Sequence, residues 1–304
     1  MHHDLFTTAR LREVGVDESE QRRLVRAGEL IRVRHGVYRP GGHLDPEAEH
    51  LMSVRGTVPL MDGRAVVSHA SAAVLHALPV PRSTLKRVCV TRPGASRGYQ
   101  TKALRVRGCP VSDDEIVEVD GLRVTSPART AVDLARELAF PWAVGVVDAA
   151  LRSGVRKDVL RDHVVAGARW PGNSRARAAV EFADGRSESV GESRSRGLFA
   201  QAGLPPTALQ YGVAWNGMFV GRADFAWEDR GVLGEFDGLA KYGRLRHPDE
   251  TVADAVVREK VREDRLRDAG YLVVRWTDAE MDAPSMLLRR VRAVLDAGPG
   301  RIVR

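Results

Sequence analysis

The pattern of apolar and polar positions over the first forty residues predicts two short helices followed by a β-hairpin. The second helix, residues 18–27, has apolar residues on one side and glutamine and arginines on the other. Residues 30–34 and 37–39 alternate apolar and polar on either side of a glycine turn, which is typical of a hairpin. Helix, turn, basic helix and basic hairpin in this order predict a winged helix-turn-helix over residues 1–42.

Residues 43–187 mix helical and strand patterns, so we interpret this middle region as α+β. Residues 65–78 are apolar enough to form one buried helix, and residues 85–91 and 104–106 have the composition of strands. A short, polar, glycine-containing stretch at 184–189 predicts the last domain boundary.

The pattern changes again in residues 188–304, where a helix, three strands, a long charged helix, a β-branched strand and a last helix follow one another. These elements are predicted at 191–202, 207–215, 219–227, 231–236, 250–269, 271–276 and 279–297. This order implies a mixed sheet flanked by helices. The predicted fold class is therefore α/β multidomain.

Composition places the chain among soluble globular proteins. It has 304 residues, 43% hydrophobic and 29% charged, so we expect two or three domains. Two cysteines exclude a disulfide framework and a cysteine-rich zinc site, which favours the reducing cytoplasm. No apolar run approaches the roughly 18 residues that a membrane span needs, and no signal peptide is recognisable at the N-terminus. We therefore expect a cytoplasmic protein with no membrane partner.

Charge favours a polyanionic partner, though weakly. The 47 basic residues exceed the 40 acidic ones by a net +7. Only five of the basic residues are lysines, a bias that a GC-rich coding sequence explains most simply. A lysine that is retained, such as Lys241, then indicates a position where arginine would not serve.

Acidic residues lie on the predicted C-terminal strands, where a buried core would exclude them. Asp224 lies on one strand, and Glu235 and Asp237 share a face of the next by the period-two rule. Converging carboxylates repel one another unless a cation is present, and such oxygen-rich sites suit Mg²⁺. The ion would polarise a phosphoryl group and lower the pKa of a bound water. Lys241 would orient that water or stabilise charge on the phosphate.

The alternative for these carboxylates is an exposed strand edge with ordinary surface charges and a turn at Asp237-Gly238. For residues 235–237 alone this alternative is the better one. Together with Asp224 and Lys241, the set favours a functional site.

Residues 188–282 resemble the endonuclease-like domain DUF559, which is related to very-short-patch repair endonucleases of the PD-(D/E)XK superfamily. The segments that carry the resemblance are Gly191-Glu192-Ser193-Arg194, Arg222-Ala223-Asp224-Phe225, Glu235-Phe236-Asp237-Gly238, Arg262-Glu263-Asp264-Arg265 and Gly270-Tyr271-Leu272-Val273-Val274-Arg275-Trp276. Many relatives carry a histidine where this chain has Lys241-Tyr242, which leaves the choice of general base open.

This resemblance implies a restriction-endonuclease-like sheet and a DNA endonuclease that depends on Mg²⁺ or Mn²⁺. Asp224, Glu235 and Asp237 would bind the metal, Lys241 would assist, and Glu192 would be a helix-borne helper.

A second resemblance, over residues 5–40 and much of 66–138, is to the AbiEi-type antitoxins of type IV toxin–antitoxin systems. The segments that carry it are Thr7–Leu11, Arg34–Pro40, Ser68–Ala73, Thr125–Thr130 and Asp133–Ala135. It implies DNA binding, often to an operator.

Two hypotheses follow, and both have DNA as partner. The first is a metal-dependent DNA endonuclease; the alternative is a non-catalytic DNA-binding regulator or antitoxin with an inactive nuclease-like domain. A homodimer is compatible with either, and a toxin partner is expected only under the alternative. The side chains predicted to contact DNA are Arg22, Arg23, Arg26, Arg32, Arg34, Arg244 and Arg246.

Overall fold

This computed structural model describes residues 5–95, 97–238 and 252–298. Over those ranges the chain forms twelve α-helices and thirteen β-strands, and the strands make up three sheets. The mixed α/β composition predicted from the sequence is confirmed. Within the same ranges, none of the helices is both long and apolar enough to cross a membrane.

The chain divides into two compact units. Unit 1 comprises residues 1–137 and 155–177, and unit 2 comprises residues 138–154 and 178–304. The sequence pattern instead predicts three successive regions with a last boundary near residue 188. The two divisions differ because a helix within 138–154 packs against a C-terminal helix, a long-range contact that local patterns do not reveal.

The N-terminal elements of unit 1 have the predicted order, with one additional short strand. They are β1 (Phe6–Thr7), α1 (Thr8–Glu13), α2 (Glu18–Arg26), β2 (Leu30–Arg34) and β3 (Val37–Pro40). Strands β1 and β2 both pair antiparallel with β3, giving a three-stranded sheet of order β1-β3-β2. The two helices and the hairpin of the predicted winged helix-turn-helix are therefore present.

Helix α3 (Pro46–Thr57) packs against this hairpin. At Gly56 of α3, a Cβ atom would lie 3.2 Å from Val37 Cγ1 and 3.5 Å from Val33 Cγ1. Val37 is buried, and so is Leu11 of α1. The small N-terminal domain thus has a core that includes a third helix from beyond residue 42.

Six further strands of unit 1 form a second sheet of order β6-β7-β5-β4-β9-β8. The strands are β4 (Val66–Val67), β5 (Val88–Thr91), β6 (Tyr99–Gln100), β7 (Leu104–Arg107), β8 (Ile116–Val119) and β9 (Leu122–Thr125). The helices of this part of the unit are α4 (His69–Leu75), α5 (Pro127–Glu137) and α7 (Lys157–Ala166). The α+β character predicted for the middle region is present in this part of the chain.

The single helix predicted over residues 65–78 is wrong at its start. Val66 and Val67 form β4, which pairs antiparallel with β5 and parallel with β9, and α4 begins only at His69. Buried β-branched residues suit a strand that lies between two others. Apolar character alone cannot distinguish a short buried strand from a buried helix.

Helix α5 carries two arginines that are buried together with their acceptors. Asp133 accepts hydrogen bonds from Arg129 Nε at 2.9 Å and from Arg136 Nη1 at 2.5 Å. Glu115 accepts from Arg129 at 2.7 Å, and the Trp170 ring lies 4.7 Å and 4.8 Å from the two guanidinium carbons. Burial raises the pKa of Asp133, although both guanidinium groups favour its charged form.

Unit 2 contains a four-stranded sheet of order β10-β11-β12-β13. Its strands are β10 (Ala208–Trp215), β11 (Met218–Trp227), β12 (Val232–Asp237) and β13 (Leu272–Thr277). The first three are antiparallel, and β13 runs parallel to β12. The mixed sheet predicted from the element order is confirmed, while its assignment to the restriction-endonuclease-like fold stays a prediction.

Helices pack on both faces of this sheet. The helices of this unit are α6 (Phe140–Arg152), α9 (Val190–Gln201), α10 (Val252–Asp268), α11 (Asp278–Asp282) and α12 (Pro284–Ala297), of which α6 packs on α9. Helix α8 (Asn173–Phe182) begins in unit 1 and ends in unit 2. Phe199 of α9 packs with Phe225 and Trp276 on one face, and Leu266 of α10 packs with Leu233 on the other.

The last helix predicted, residues 279–297, is in fact two helices. Helix α11 ends at Asp282, and α12 begins at Pro284. Ala283 between them has φ −125° and ψ 67°, outside the helical region. Proline disfavours helical geometry in the residue before it and lacks the N–H that a continuous helix needs.

We predict that Gly191→Ala destabilises unit 2. A Cβ atom at Gly191 would lie 1.9 Å from Cε1 of the buried Phe236 ring, so the ring or the helix must move. We expect a loss of about 1–3 kcal/mol in the free energy of unfolding from overpacking, measured by urea denaturation. Gly212→Ala is the control, because its Cβ would make only ordinary contact, 3.6 Å from Phe219. Equal midpoints for the two variants would contradict the packing argument.

Candidate functional site

Helix α2 is held in place by its N-terminal cap and by one buried side chain. Asp17 Oδ1 accepts hydrogen bonds from the N–H groups of Ser19 and Glu20 at 2.8 and 2.9 Å. These backbone donors, with the Ser19 hydroxyl, lower the pKa of Asp17. Gln21 is buried, and its Nε2 donates to Val16 O at 3.1 Å. The cap and Gln21 leave the opposite face of α2 open to solvent.

The three arginines predicted on α2 are all exposed, but they differ in their partners. Arg23 donates two hydrogen bonds to Glu20 at 2.8 and 2.7 Å, which neutralises much of its charge. Arg22 lies 3.7 Å from Glu18, and Arg26 forms no ion pair with a described residue. Arg22 and Arg26 are four residues apart and therefore project from the same face of the helix. These two are the better placed to meet a phosphate backbone.

The two arginines predicted on the hairpin also differ. Arg32 is exposed, and its Nη2 lies 2.7 Å from Nδ1 of His35. Arg34 is half-buried and forms no ion pair with any described side chain. The hairpin therefore carries two guanidinium groups that no described carboxylate neutralises.

In unit 2, the structure brings Asp224 and Glu235 together on neighbouring strands. Strand β11 pairs with β12 so that Phe225 lies opposite Gly234. Continuing this register by one residue sets Asp224 opposite Glu235, and opposite residues of an antiparallel pair share a face. Asp224 Oδ2 accepts the backbone N–H of Phe236 at 2.8 Å. Glu235 is only 7% exposed.

Two arginines bind the Glu235 carboxylate. Arg262 Nη2 of α10 lies 2.6 Å from Oε1, and Arg275 Nη2 of β13 lies 3.0 Å from Oε2. Arg275 is the register partner of Glu235 in the parallel pair of β12 and β13. Sequence reasoning assigned neither arginine a role. The available signal was that both arginines lie in segments that carry the resemblance of residues 188–282 to the endonuclease-like domain.

Glu192, predicted as a helix-borne helper, is engaged at the start of α9. Its carboxylate accepts hydrogen bonds from Ser189 Oγ at 2.7 Å, from the N–H of Glu188 at 2.8 Å and from Gln210 Nε2 at 2.7 Å. Ser189 Oγ in turn accepts from the N–H of Glu192, as an N-cap does. These contacts assign Glu192 a structural role in capping α9.

Four predicted site residues of unit 2 remain, and the structure describes one of them, Asp237. Asp237 ends β12 and is half-buried. Lys241, Arg244 and Arg246 lie outside the described residues.

The described carboxylate Glu235 is paired with two guanidinium groups, which bears on the predicted magnesium site. Within residues 5–95, 97–238 and 252–298, no group of three or more histidine, cysteine, aspartate or glutamate side chains could hold a metal ion. Both oxygens of Glu235 already accept from guanidinium groups, which compensate the negative charge that a cation would otherwise neutralise. The metal assignments of Asp224, Glu235 and Asp237 stay predictions.

We predict that Glu235→Gln lowers the stability of unit 2. The substitution removes the charge that Arg262 and Arg275 share and leaves both guanidinium groups incompletely paired. Because both arginines are partly exposed, we expect a loss of about 1–3 kcal/mol in the free energy of unfolding, measured by urea denaturation. If repulsion between carboxylates dominated, the same substitution would raise stability.

The control is Glu188→Gln, which changes the same functional groups in an exposed ion pair. Glu188 lies 2.8 Å from Arg222, and both side chains are about half exposed. We expect less than about 1 kcal/mol for such a pair. A larger loss for Glu188→Gln than for Glu235→Gln would contradict our interpretation.

Two protein-family models match the first part of the chain. A model described as "Transcriptional regulator, AbiEi antitoxin" matches residues 1–41, and one described as "AbiEi antitoxin C-terminal domain" matches residues 65–182. The resemblance to AbiEi-type antitoxins is thereby confirmed. The resemblance of residues 188–282 to a nuclease domain stays a prediction.

Relatives of nearly full length occur in Mycobacterium tuberculosis. The uncharacterized proteins Rv2248 and MT2308 are each 32% identical to this chain over 276 residues, which covers 90% of this chain and 94% of theirs. Their similarity thus extends well beyond residue 182. The chain therefore belongs to the same family as these mycobacterial proteins, and two segments within its first 182 residues match AbiEi antitoxin models.

Proposed function

We propose that this protein is a DNA-binding transcriptional regulator of the AbiEi antitoxin kind. The observation that carries the proposal is the winged-helix arrangement of residues 6–40, which exposes the arginines of α2 and Arg32 of the hairpin. The match of residues 1–41 to a transcriptional-regulator model supports the same function. The match of residues 65–182 to an antitoxin domain adds a cognate toxin as a proposed protein partner.

The distribution of guanidinium groups suits a duplex backbone. Arg22 and Arg26 project from one face of α2, and Arg34 extends the positive charge to the hairpin. Such side chains gain affinity by releasing counterions condensed on the DNA phosphates. Arg23 contributes less, because its ion pair with Glu20 must be broken or shared before it can contact a phosphate.

We predict that the triple variant Arg22→Ala, Arg26→Ala, Arg34→Ala binds duplex DNA more weakly and with less dependence on salt. Each phosphate contact that is lost should reduce the slope of log K against log salt by about 0.9. The measurement is fluorescence anisotropy at several salt concentrations. The probes are a duplex from the promoter region of the protein's own gene and a duplex of mixed sequence.

A control variant removes three arginines elsewhere whose exposure is close to that of Arg22. Arg64, Arg156 and Arg186 have side chains 76%, 77% and 70% exposed, close to the 74% of Arg22, and each is paired with an aspartate. Their triple alanine variant changes the net charge by the same amount. Its slope of log K against log salt should differ from the wild-type slope by no more than about 0.9, the value for one phosphate contact. Equal slopes for the two triple variants would overturn the assignment of α2 and the hairpin as the DNA-binding surface.

Metal-dependent cleavage of DNA is a second candidate function. The observation that favours it is the juxtaposition of Asp224 and Glu235 at the end of the β11–β12 pair. For this function Glu235 would have to exchange at least one of its contacts with Arg262 and Arg275 for another partner. We rank it second because those arginines already compensate the carboxylate.

Under this second candidate, we predict that Asp224→Asn abolishes cleavage of plasmid and single-stranded DNA in the presence of Mg²⁺ or Mn²⁺. Asp229→Asn is the control, because Asp229 is an exposed aspartate in the turn between β11 and β12. The Asp229→Asn variant should cleave DNA at the wild-type rate. Products would be followed by gel electrophoresis. Wild-type protein that cleaves neither substrate with either ion would remove this candidate.

A further inference from the structure

A cleft of about 670 Å³ opens within unit 1, beside the edge of the six-stranded sheet. Strands β6 and β7 form one side of it, the C-terminal end of α5 forms another, and His69 and Trp170 contribute to its lining. Pockets that hold small ligands have about this volume. Neither the DNA-binding surface nor the acidic strands of unit 2 belong to it.

Positive charge exceeds negative charge in the cleft. Three arginines line it, Arg105, Arg107 and Arg136, against the two carboxylates of Asp133 and Glu137. Asp133 is engaged by arginines of its own helix. Among the described carboxylates, Arg105 and Arg107 therefore share one acceptor, Glu137, at distances of 3.3 Å and 2.6 Å. The Cys89 thiol, a weak acceptor, also interacts with Arg107.

Arg107 has an unmet hydrogen-bonding requirement. Its side chain is only 14% exposed, and its Nη1 is buried without a hydrogen-bond partner among the described residues. A buried donor of this kind costs about 1–3 kcal/mol unless an acceptor reaches it. An acceptor from a ligand would supply what the protein itself does not.

His69 contributes a second donor. Thr91 Oγ1 donates to Ser68 Oγ at 3.0 Å, and Ser68 Oγ lies 3.1 Å from His69 Nδ1. Burial and the neighbouring arginines hold the pKa of His69 well below its usual range, which favours the neutral imidazole. In the tautomer in which the Ser68 hydroxyl donates to Nδ1, the imidazole proton lies on Nε2. The nearest carboxylate oxygen, of Glu137, is 3.9 Å from Nε2, beyond hydrogen-bond distance.

His69 also has a backbone conformation that a non-glycine residue rarely adopts. Its φ is +52°, in the left-handed region. Such a conformation costs on the order of 1 kcal/mol or more and persists where the surroundings hold it. It directs the imidazole into the lining of the cleft.

Glu137 is poorly suited as a permanent partner for these donors. It is the last residue of α5, where the helix dipole disfavours a negative charge. Its side chain is 36% exposed, so it can turn out to solvent at little cost. We interpret Glu137 as an internal acceptor that a stronger anion can displace.

We propose that this cleft binds a nucleotide-sized ligand whose phosphate replaces the Glu137 carboxylate on Arg105 and Arg107 and accepts a hydrogen bond from His69 Nε2. A phosphate offers three acceptor oxygens and more charge than a carboxylate, which suits several converging donors. Tyr99, 49% exposed on the edge strand β6, provides a ring against which the planar base can stack.

The test is isothermal titration of the full chain with AMP, UMP, inorganic phosphate and succinate. We expect both nucleotides to bind, phosphate to bind more weakly, and succinate to bind weakest. Glu137→Gln should tighten nucleotide binding by about tenfold, equivalent to about 1.4 kcal/mol, because the competing carboxylate is gone. A variant that merely damaged the fold would weaken binding instead.

Two further variants complete the experiment. Arg107→Gln should weaken nucleotide binding by about tenfold or more. Arg105→Gln, at a side chain 43% exposed, gives a second reading should the buried Arg107 variant fail to fold. Glu118→Gln on β8, at the opposite edge of the same sheet, should leave binding unchanged.

Three outcomes would overturn the proposal. Failure of both the wild-type protein and Glu137→Gln to bind any probe would remove the site. Binding of phosphate with no gain for AMP or UMP would remove the nucleotide assignment. Succinate as strong as phosphate would remove the preference for a phosphoryl group.

Discussion

A buried guanidinium group needs a carboxylate in a fixed position, and both units of this protein are organised around that requirement. Leaving one such partner unpaired costs about 3–5 kcal/mol, so each pair constrains the elements that carry it. The carboxylates that act in this way include Asp133 in unit 1 and Asp148 in unit 2. Glu235 in unit 2 pairs in the same manner with two guanidinium groups that are partly exposed. Asp148 of α6, fully buried, accepts two hydrogen bonds from Arg196 of α9. That pair joins residues 138–154 to the C-terminal part of the chain.

The same requirement separates structural arginines from those suited to binding. Where a carboxylate is close, as for Arg23 or Arg275, the guanidinium group is largely neutralised and holds structure together. Where no described carboxylate is close, as for Arg26 and Arg34, the charge is available to an external anion. This distinction supports DNA binding by the N-terminal domain, and it places the Glu235 carboxylate among structural ion pairs. The cleft in unit 1 lies between these cases, because Arg105 and Arg107 share one displaceable acceptor.

Local patterns predicted the helices and strands well where the spacing of apolar residues and the turn residues indicated the same boundaries. The two N-terminal helices, the hairpin and the order of the C-terminal elements follow from alternation, caps and glycine turns. The prediction was wrong at residues 65–78, where a two-residue strand precedes the helix, and at 279–297, where Pro284 divides one helix into two. The strand depends on pairing with distant segments, which no local window contains. The second error was avoidable, since a proline inside a helical pattern is itself a boundary signal.

The exposed basic surface of α2 and the presence of Asp224 and Glu235 on neighbouring strands could be predicted from the sequence, because both follow from periodicity within short segments. What those groups contact depends on the folded chain. It brought Arg262 and Arg275 onto Glu235 from elements 27 and 40 residues away along the chain. It also placed His69 of α4 in the lining of a cleft. The physical reason is that the charge state and the role of an ionisable side chain depend on groups that meet it through space, and chain order alone does not bring those groups together.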